Sequence, residues 1–396
     1  MSHNIINFLK NNNNKTIKDK IITEIAGLTY ACQDKIGEGY FGKVYTPLIP
    51  NVGTIKLKND TYTYVPVAVK EMMHEGIFDV VDEKKRLYLY SDRELTCEAI
   101  LLYFISKFWY ESKFPYAPFL ISVHKCNTNN HSSLIDHLVT ERHGVFESYQ
   151  SWSKGNHIVG NGTQMETTHK LETFYNLLHA GMDEYDDKYN FSIELMDVKF
   201  NLIEMIDNLM MHTLIYMDYC TKHGLILVDQ HLNNIFISWI NETNTIGGKK
   251  MNPVKNIYYT IGKNEHIKAN INVIIPKVGD LGSSVLKMRD DLWIVTDLIN
   301  VKNIENIAKL FNNYVPPYLL MFDGLKNVLP YDVFSKTVLK EIYDDNKIIS
   351  QNYSLMTQCI EPNKFPTEGQ LLKKYYKKYL VSDLPKDDET VFIIKD

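Results

Sequence analysis

Short β-type runs of apolar residues fall at Gly42–Leu48, Tyr64–Met72, Phe119–Val123 and Asp136–Thr140, punctuated by Gly and Pro, and they predict strands. Among them, Leu95–Phe108 repeats its apolar residues at the helical period and predicts one helix. The polar segment Glu147–Thr168 reads as a loop insertion. From Leu171 the helical period takes over, most clearly at Ile203–Lys222, and it returns at Ile304–Phe311, Val333–Tyr343 and Gln370–Tyr379. The pattern predicts an α+β chain in two lobes. A small β-rich lobe with one helix spans 29–144, and a larger, mainly helical lobe spans 145–396, with insertions near 147–168 and 240–273. Residues 1–28, which carry an Asn run, read as a flexible extension.

Composition narrows the class. Of the 396 residues, 44% are hydrophobic and 23% charged, the balance of an ordinary folded protein with enough apolar material for a sizeable core. Lys and Arg number 43 against 48 Asp and Glu, and the net charge of -5 advertises neither nucleic acid nor an anionic membrane as a partner. The cysteines, Cys32, Cys97, Cys126, Cys220 and Cys359, are odd in number and far apart, which fits a reducing, intracellular setting. The first twenty residues hold no apolar core of a secretion signal, and the most apolar stretch, Ala99–Phe108, meets Lys107 long before it could span a bilayer. No membrane span is expected.

Four pieces of chemistry then appear in order. Ile36-Gly37-Glu38-Gly39-Tyr40-Phe41-Gly42-Lys43-Val44 stands where one strand turns back into another. Glycines at such a turn let backbone amides approach phosphate oxygens without a Cβ in the way, although a plain hairpin turn would read the same. Val67-Ala68-Val69-Lys70 ends an apolar strand in a lysine placed to hold phosphates, and Glu98, or Glu94 one helical turn earlier, could pair with it and fix its orientation. Asp229-Gln230-His231-Leu232-Asn233-Asn234 spaces a proton acceptor five residues from an amide able to bind a metal. Finally, Lys277-Val278-Gly279-Asp280-Leu281-Gly282 puts a carboxylate at a flexible turn, suited to Mg²⁺.

In this order the pieces resemble the eukaryotic-type protein kinase superfamily, over roughly residues 30–300. The resemblance implies a bilobal protein-kinase-like fold and a requirement for ATP and Mg²⁺. It places Ile36, Gly37, Glu38, Gly39, Tyr40, Phe41, Gly42, Val44, Ala68 and Lys70 around ATP, with Glu141 and His143 supplying backbone groups to the adenine. It makes Asp229 the catalytic base, Glu98 the partner of Lys70, and Asn234 and Asp280 the metal ligands.

Departures from the family pattern refine the expectation. Leu227-Val228 replaces the usual His-Arg pair, and His231 stands where Ser/Thr kinases carry a lysine. An Asp-x-His-x-x-Asn loop is also seen in small-molecule kinases and in divergent kinases of large DNA viruses. There the histidine either approaches the γ-phosphate or bonds to backbone. Between Asn234 and Asp280 lies a long insertion in which Tyr258–Lys263 and Ile274–Lys277 look like an extra strand pair, a layout similar to kinases of poxvirus-like and other large DNA viruses. Beyond Asp280, Arg289–Trp293 looks like the start of the helix whose aspartate braces the catalytic loop, so the activation segment is nearly absent. No cation precedes Asp229 to bind a phosphorylated loop, which implies an enzyme competent as synthesised.

The resemblance therefore implies a divergent viral serine/threonine protein kinase acting on a protein substrate inside the cell, in host cytoplasm or virion. A small-molecule kinase and a pseudokinase scaffold are the alternatives. The basic aromatic run Lys373–Tyr379 reads as a solvated helix face, and His124, Cys126 and His131 lack the second ligand pair of a zinc site.

Overall fold

β-branched and aromatic residues separated by turn formers make the N-terminal part a succession of strands. The computed structural model describes segments within residues 32–141, 192–295, 316–346 and 365–394. Before residue 192 it describes chiefly strand backbones, with side chains at Lys70, Glu98, Ile100, Leu101, Leu102, Phe104, Ile105 and Tyr116. The stretch 1–28, the insertion at 147–168 and the helix expected at 304–311 lie outside the described residues, as do Gly39, Tyr40, Phe41, Gly42, Glu94, His143, Asp229 and Asp280.

Along the chain come β1 (Cys32–Glu38), β2 (Lys43–Pro47), a small hairpin of β3 (Ile55–Leu57) and β4 (Asp60–Tyr62), then β5 (Val67–His74), β6 (Ile77–Val81), β7 (Leu87–Ser91), β8 (Leu120–Asn127) and β9 (Leu134–Glu141). β1, β2, β5, β9 and β8 form an antiparallel sheet in that order. Its members β2, β5, β8 and β9 fall where alternation predicts strands. Glu98, Ile100, Leu101, Leu102, Phe104 and Ile105 are helical, within the stretch where the apolar period predicts a helix.

A hairpin of β10 (Ser192–Leu195) and β11 (Val198–Asn201) leads into α1 (Leu202–Lys222). Then follow β12 (Leu225–Ile226), a 3₁₀ turn (Leu232–Asn234), β13 (Ile235–Trp239), β14 (Thr245–Ile246), β15 (Lys249–Lys250), β16 (Asn256–Gly262), β17 (Glu265–Asn270) and β18 (Ile274–Val278). β19 (Val285–Arg289), β20 (Leu292–Val295), α2 (Tyr318–Val328), α3 (Tyr331–Phe334), α4 (Val338–Asp345) and α5 (Glu368–Tyr375) come next. A second 3₁₀ turn (Lys377–Tyr379), β21 (Leu380–Val381) and β22 (Val391–Ile394) complete the described elements.

Three arrangements differ from the expectations. The helix start expected at Arg289–Trp293 is instead the hairpin β19–β20, with Arg289 paired to Leu292. Val285, Leu286, Leu292, Trp293 and Ile294 are all buried, and β12 and β7 flank the pair in a sheet ordered β12-β19-β20-β7-β6. Two short apolar stretches, Val285-Leu286 and Leu292–Val295, separated by charged residues suit paired strands as well as a helix start, and sheet neighbours decide between them. That sheet draws strands from residues 77–91 and from 225–295, so it combines chain from both sides of the boundary expected at 144. Second, β16 and β18 do not pair with each other. β16 closes a hairpin with β17 through Lys263 and Asn264, where Asn264 takes the positive φ of 59° that asparagine tolerates, while β18 pairs with β13. Third, residues 192–201, in a region expected to be mainly helical, form a hairpin.

Among the described elements α1 is enclosed over most of its length. Its N-terminus is capped by the Asn201 side chain, which accepts from the Ile203 and Glu204 amides at 3.0 and 3.2 Å. From Met205 to Cys220 every residue is buried, including Asp207, Asn208, His212, Thr213 and Asp218. A helix apolar on nearly every side must be covered all round. α5, β17 and β18 pack against it, and the sheet β21-β17-β16-β22 supplies buried Ile257, Tyr259, Ile267 and Ala269. The polar groups are paired: Thr213 donates to the Leu209 carbonyl, the Tyr259 hydroxyl donates to Asp218, and Lys222 reaches Asp218 at 3.1 Å. In the basic aromatic run, Lys374 pairs with Asp345 at 2.8 Å and Lys373 pairs with Glu265. Tyr376 is buried there and donates to the Asp207 carbonyl. Among the described residues no helix is long and apolar enough to cross a membrane.

α1 ends at Gly224, whose φ of +80° favours glycine, and a Cβ there would lie 2.5 Å from the Lys287 carbonyl oxygen of β19. The Gly224→Ala variant should lose at least about 1–2 kcal/mol from backbone conformation alone, measured as a lower denaturant midpoint at unchanged slope.

Burial raises the carboxyl groups of Asp207 and Glu368 to about 7 and lowers His212 to about 4. A raised carboxyl retains a proton in the folded chain that the unfolded chain has released, so its stabilisation is full below pH ~4 and lost as pH rises through about 7. His212 works oppositely, its contribution being present above its unfolded value near 6.5 and lost as pH falls towards 4. Two carboxyls outweigh one imidazole, so thermal stability should fall between pH 5 and 8. Asp207→Asn, which keeps an oxygen to accept the Val338 amide now bonded at 2.9 Å, should flatten that slope in melting curves across the same range.

Candidate functional site

Two residues that stand 28 apart in the sequence meet in the first sheet. Lys70 Nζ donates to Glu98 Oε2 at 2.7 Å; the carboxylate is 4% exposed and the lysine 21%. Lys70 sits on β5 between β2 and β9, where it pairs with Val44 on one side and Leu138 on the other. Ala68 stands two residues before Lys70 on the same strand. Gly37 pairs with Val44 beyond a register shift that spans Ile36, and Glu38 pairs with Lys43. Glu141 closes the same sheet, opposite Val67. The sheet register thus brings the described members of the expected nucleotide set, Ile36, Gly37, Glu38, Val44, Ala68, Lys70 and Glu141, into three adjacent strands and their continuation in β9. A lysine held by a buried carboxylate keeps its ammonium in one place, as a point charge for anionic oxygens.

The second constellation lies at the ends of β13 and β18. The 3₁₀ turn Leu232–Asn234 is capped by His231, whose Nδ1 accepts from the Asn233 amide at 3.2 Å. This is the backbone-bonded alternative expected for that residue. Asn234 is buried, and its backbone carbonyl accepts from the Gly279 amide at 2.9 Å. The residue before Asp280 is therefore fastened beside Asn234. Gly279 cannot carry a larger side chain without rearrangement, since a Cβ would lie 2.1 Å from Cε2 of Phe236. The amide oxygen of Asn234 and the carboxylate that follows Gly279 are hard oxygen donors of the kind Mg²⁺ takes, so the chemistry of the pair fits that ion.

The opposite edge of β18 is held as well. Val278 donates its amide to the Tyr116 carbonyl at 2.7 Å. The Tyr116 hydroxyl lies 2.7 Å from His212 Nδ1, and His212 Nε2 lies 3.0 Å from the Asn270 carbonyl oxygen, which also accepts from Asn208 Nδ2 at 2.9 Å. A carbonyl only accepts, so Nε2 carries the proton and Nδ1 receives the tyrosine's. No feature of the sequence marks Tyr116 or His212. They stand 96 residues apart, and their meeting is a product of the fold.

Loss of Lys70 would leave the Glu98 carboxylate buried without this partner. Lys70→Met should lower stability by about 3–5 kcal/mol if Glu98 stays ionised, and the double variant Lys70→Met with Glu98→Met should recover much of that loss. A chemical-denaturation double-mutant cycle measures both.

No family model matches the chain, and no curated protein is significantly similar to it.

Proposed function

We propose that this chain is an ATP- and Mg²⁺-dependent phosphotransferase, a divergent serine/threonine protein kinase of the kind found in large DNA viruses. It would work inside a cell, in host cytoplasm or virion, on a protein hydroxyl. The observation that carries the reading is the Lys70–Glu98 ion pair, because a buried carboxylate that orients a strand lysine has a direct use in gripping phosphate oxygens. The Asn234–Gly279 bond supports it by fastening the two expected metal-binding segments side by side.

In this reading Lys70 holds the α and β phosphates and Glu98 holds Lys70. Gly37 and Glu38 lie at the start of the loop that covers the phosphates, and backbone groups near Glu141 receive the adenine. Asn234 and Asp280 would hold Mg²⁺, which when bound neutralises phosphate charge. Asp229 accepts the proton of the attacking hydroxyl. The hydroxyl oxygen bonds to the γ-phosphorus as the bond to the β-phosphate oxygen breaks and ADP leaves. His231, bonded to the Asn233 amide, holds the turn that presents Asn234.

One observation favours the second reading, a kinase of small molecules. β19 begins at Val285, a few residues after Asp280, so the chain directly behind the expected metal ligand is committed to a sheet instead of a peptide-reading loop. Labelled-ATP transfer to mixed proteins, set against a panel of hydroxylated metabolites, separates the two.

Asp229→Ala should lower turnover by roughly 10²–10⁴-fold with the fold intact, as loss of a positioned base does, and Asp280→Asn should be similarly impaired. Near-normal transfer by either variant would refute the assignment. Ser284 is fully buried, which fits activity without loop phosphorylation. Phosphatase-treated protein made in bacteria should phosphorylate a substrate, and dependence on an upstream kinase would contradict this.

A further inference from the structure

The bonds around β18 bear on how the proposed metal loop is placed. In an antiparallel pair successive amides point to opposite edges of a strand. Gly279 donates to Asn234 on the β13 edge, and Val278 donates to the Tyr116 carbonyl on the other. The strand is clamped from both sides at the two residues that precede Asp280. The β13 clamp belongs to the strand that β18 already pairs with. The Tyr116 clamp comes from a distant part of the chain, and it is only as well placed as Tyr116 itself.

Tyr116 is fully buried, with its hydroxyl 2.7 Å from His212 Nδ1. His212, also fully buried, is fixed in turn by α1 and by the Asn270 carbonyl at the end of β17, four residues before β18 starts. One imidazole therefore bonds both to the chain entering β18 and to the residue that clamps its exit. Removal of the tyrosine hydroxyl would leave Nδ1 without that donor in a dry site, a penalty the fold relieves by letting Tyr116, and its carbonyl with it, shift.

We infer that Tyr116 and His212 are positioning residues which, through the Tyr116 carbonyl and the Val278 amide, hold the end of β18 and Gly279, the residue before Asp280, and thereby tune the affinity for the metal. The inference rests on the proposed role of Asp280 as a Mg²⁺ ligand. Neither residue touches substrate or metal in this scheme.

The test uses the full chain and titrates Mg²⁺ at fixed ATP, reading both phosphotransfer and the rise in melting temperature caused by Mg²⁺ with ATP. Tyr116→Phe should raise the half-saturating Mg²⁺ roughly three- to tenfold in both readouts, with turnover recovering at saturating Mg²⁺. His212→Gln, which can still donate to Asn270 and accept from Tyr116, should stay closer to wild type than His212→Leu. A Tyr116→Phe protein that melts earlier but keeps the wild-type Mg²⁺ dependence would reduce the pair to a stability role and overturn the inference, as would no change in either property. Should Tyr116→Phe fail to fold, hydrogen exchange on the wild type decides. The Val278 amide should be as protected as the centre of α1, and fast exchange there would overturn the clamp. Wild-type protein that shows no Mg²⁺-dependent shift with ATP would instead remove the reading of Asp280 on which the inference stands.

Discussion

α1 cannot be exposed to water on any side, and much of the architecture follows from that constraint. From Met205 to Cys220 its residues are buried, and each large apolar side chain so enclosed is worth about 1.5–3 kcal/mol relative to exposure. Enclosure needs neighbours all round. α5 packs on it, the four-stranded sheet of the 256–270 hairpin and the C-terminal strands supplies another wall, and β18 runs against it as well. Burial then makes every polar group on the helix a demand for a partner, and those partners are tie points. Asp218 takes the Tyr259 hydroxyl, Asn208 and His212 take the Asn270 carbonyl, and Asp207 accepts the first amide of α4. The helix thereby anchors both the insertion strands and the entrance to β18.

The proposed chemistry draws on buried polar groups of its own, Glu98 and Asn234. Its lysine is carried by an antiparallel sheet and oriented by a carboxylate from a separate helical stretch, so the strength of their 2.7 Å contact depends on both elements being held independently. Asn234 directly precedes β13 and Gly279 directly follows β18, and the ladder of these two strands fixes the register between Asn234 and Gly279. Rigid elements rather than long loops thus position the described groups, which is what electrostatic stabilisation of a phosphoryl transfer requires. The capped 3₁₀ turn serves the same end. The His231 ring satisfies the Asn233 amide and fastens the turn that ends in Asn234.

Local signals were legible where a strand or helix declares itself by its own period. β2, β5, β8, β9 and α1 follow directly from spacing, and Lys70 and Glu98 could be paired as one of two options because both ends of the contact carry unusual residues for their settings. Legibility failed where neighbours decide. Arg289–Trp293 carries no period long enough to separate helix from strand, and its place beside β7 and β12 makes it part of a sheet. Tyr258–Lys263 and Ile274–Lys277 were rightly strand-like, yet the tight turn at Asn264 and the proximity of β13 gave each a different partner.

The residue order by itself determined which segments could be strands or helices and which side chains had the chemistry for phosphate and metal, since propensity, period and charge are properties of short windows. Only the tertiary structure decided that Glu98 meets Lys70, that Asn234 and Gly279 share a bond, and that Tyr116 and His212 are linked across 96 residues. Such contacts depend on which surfaces the chain buries together, and that choice is made by packing and by the need of each enclosed polar group for a partner, neither of which is written at any single position.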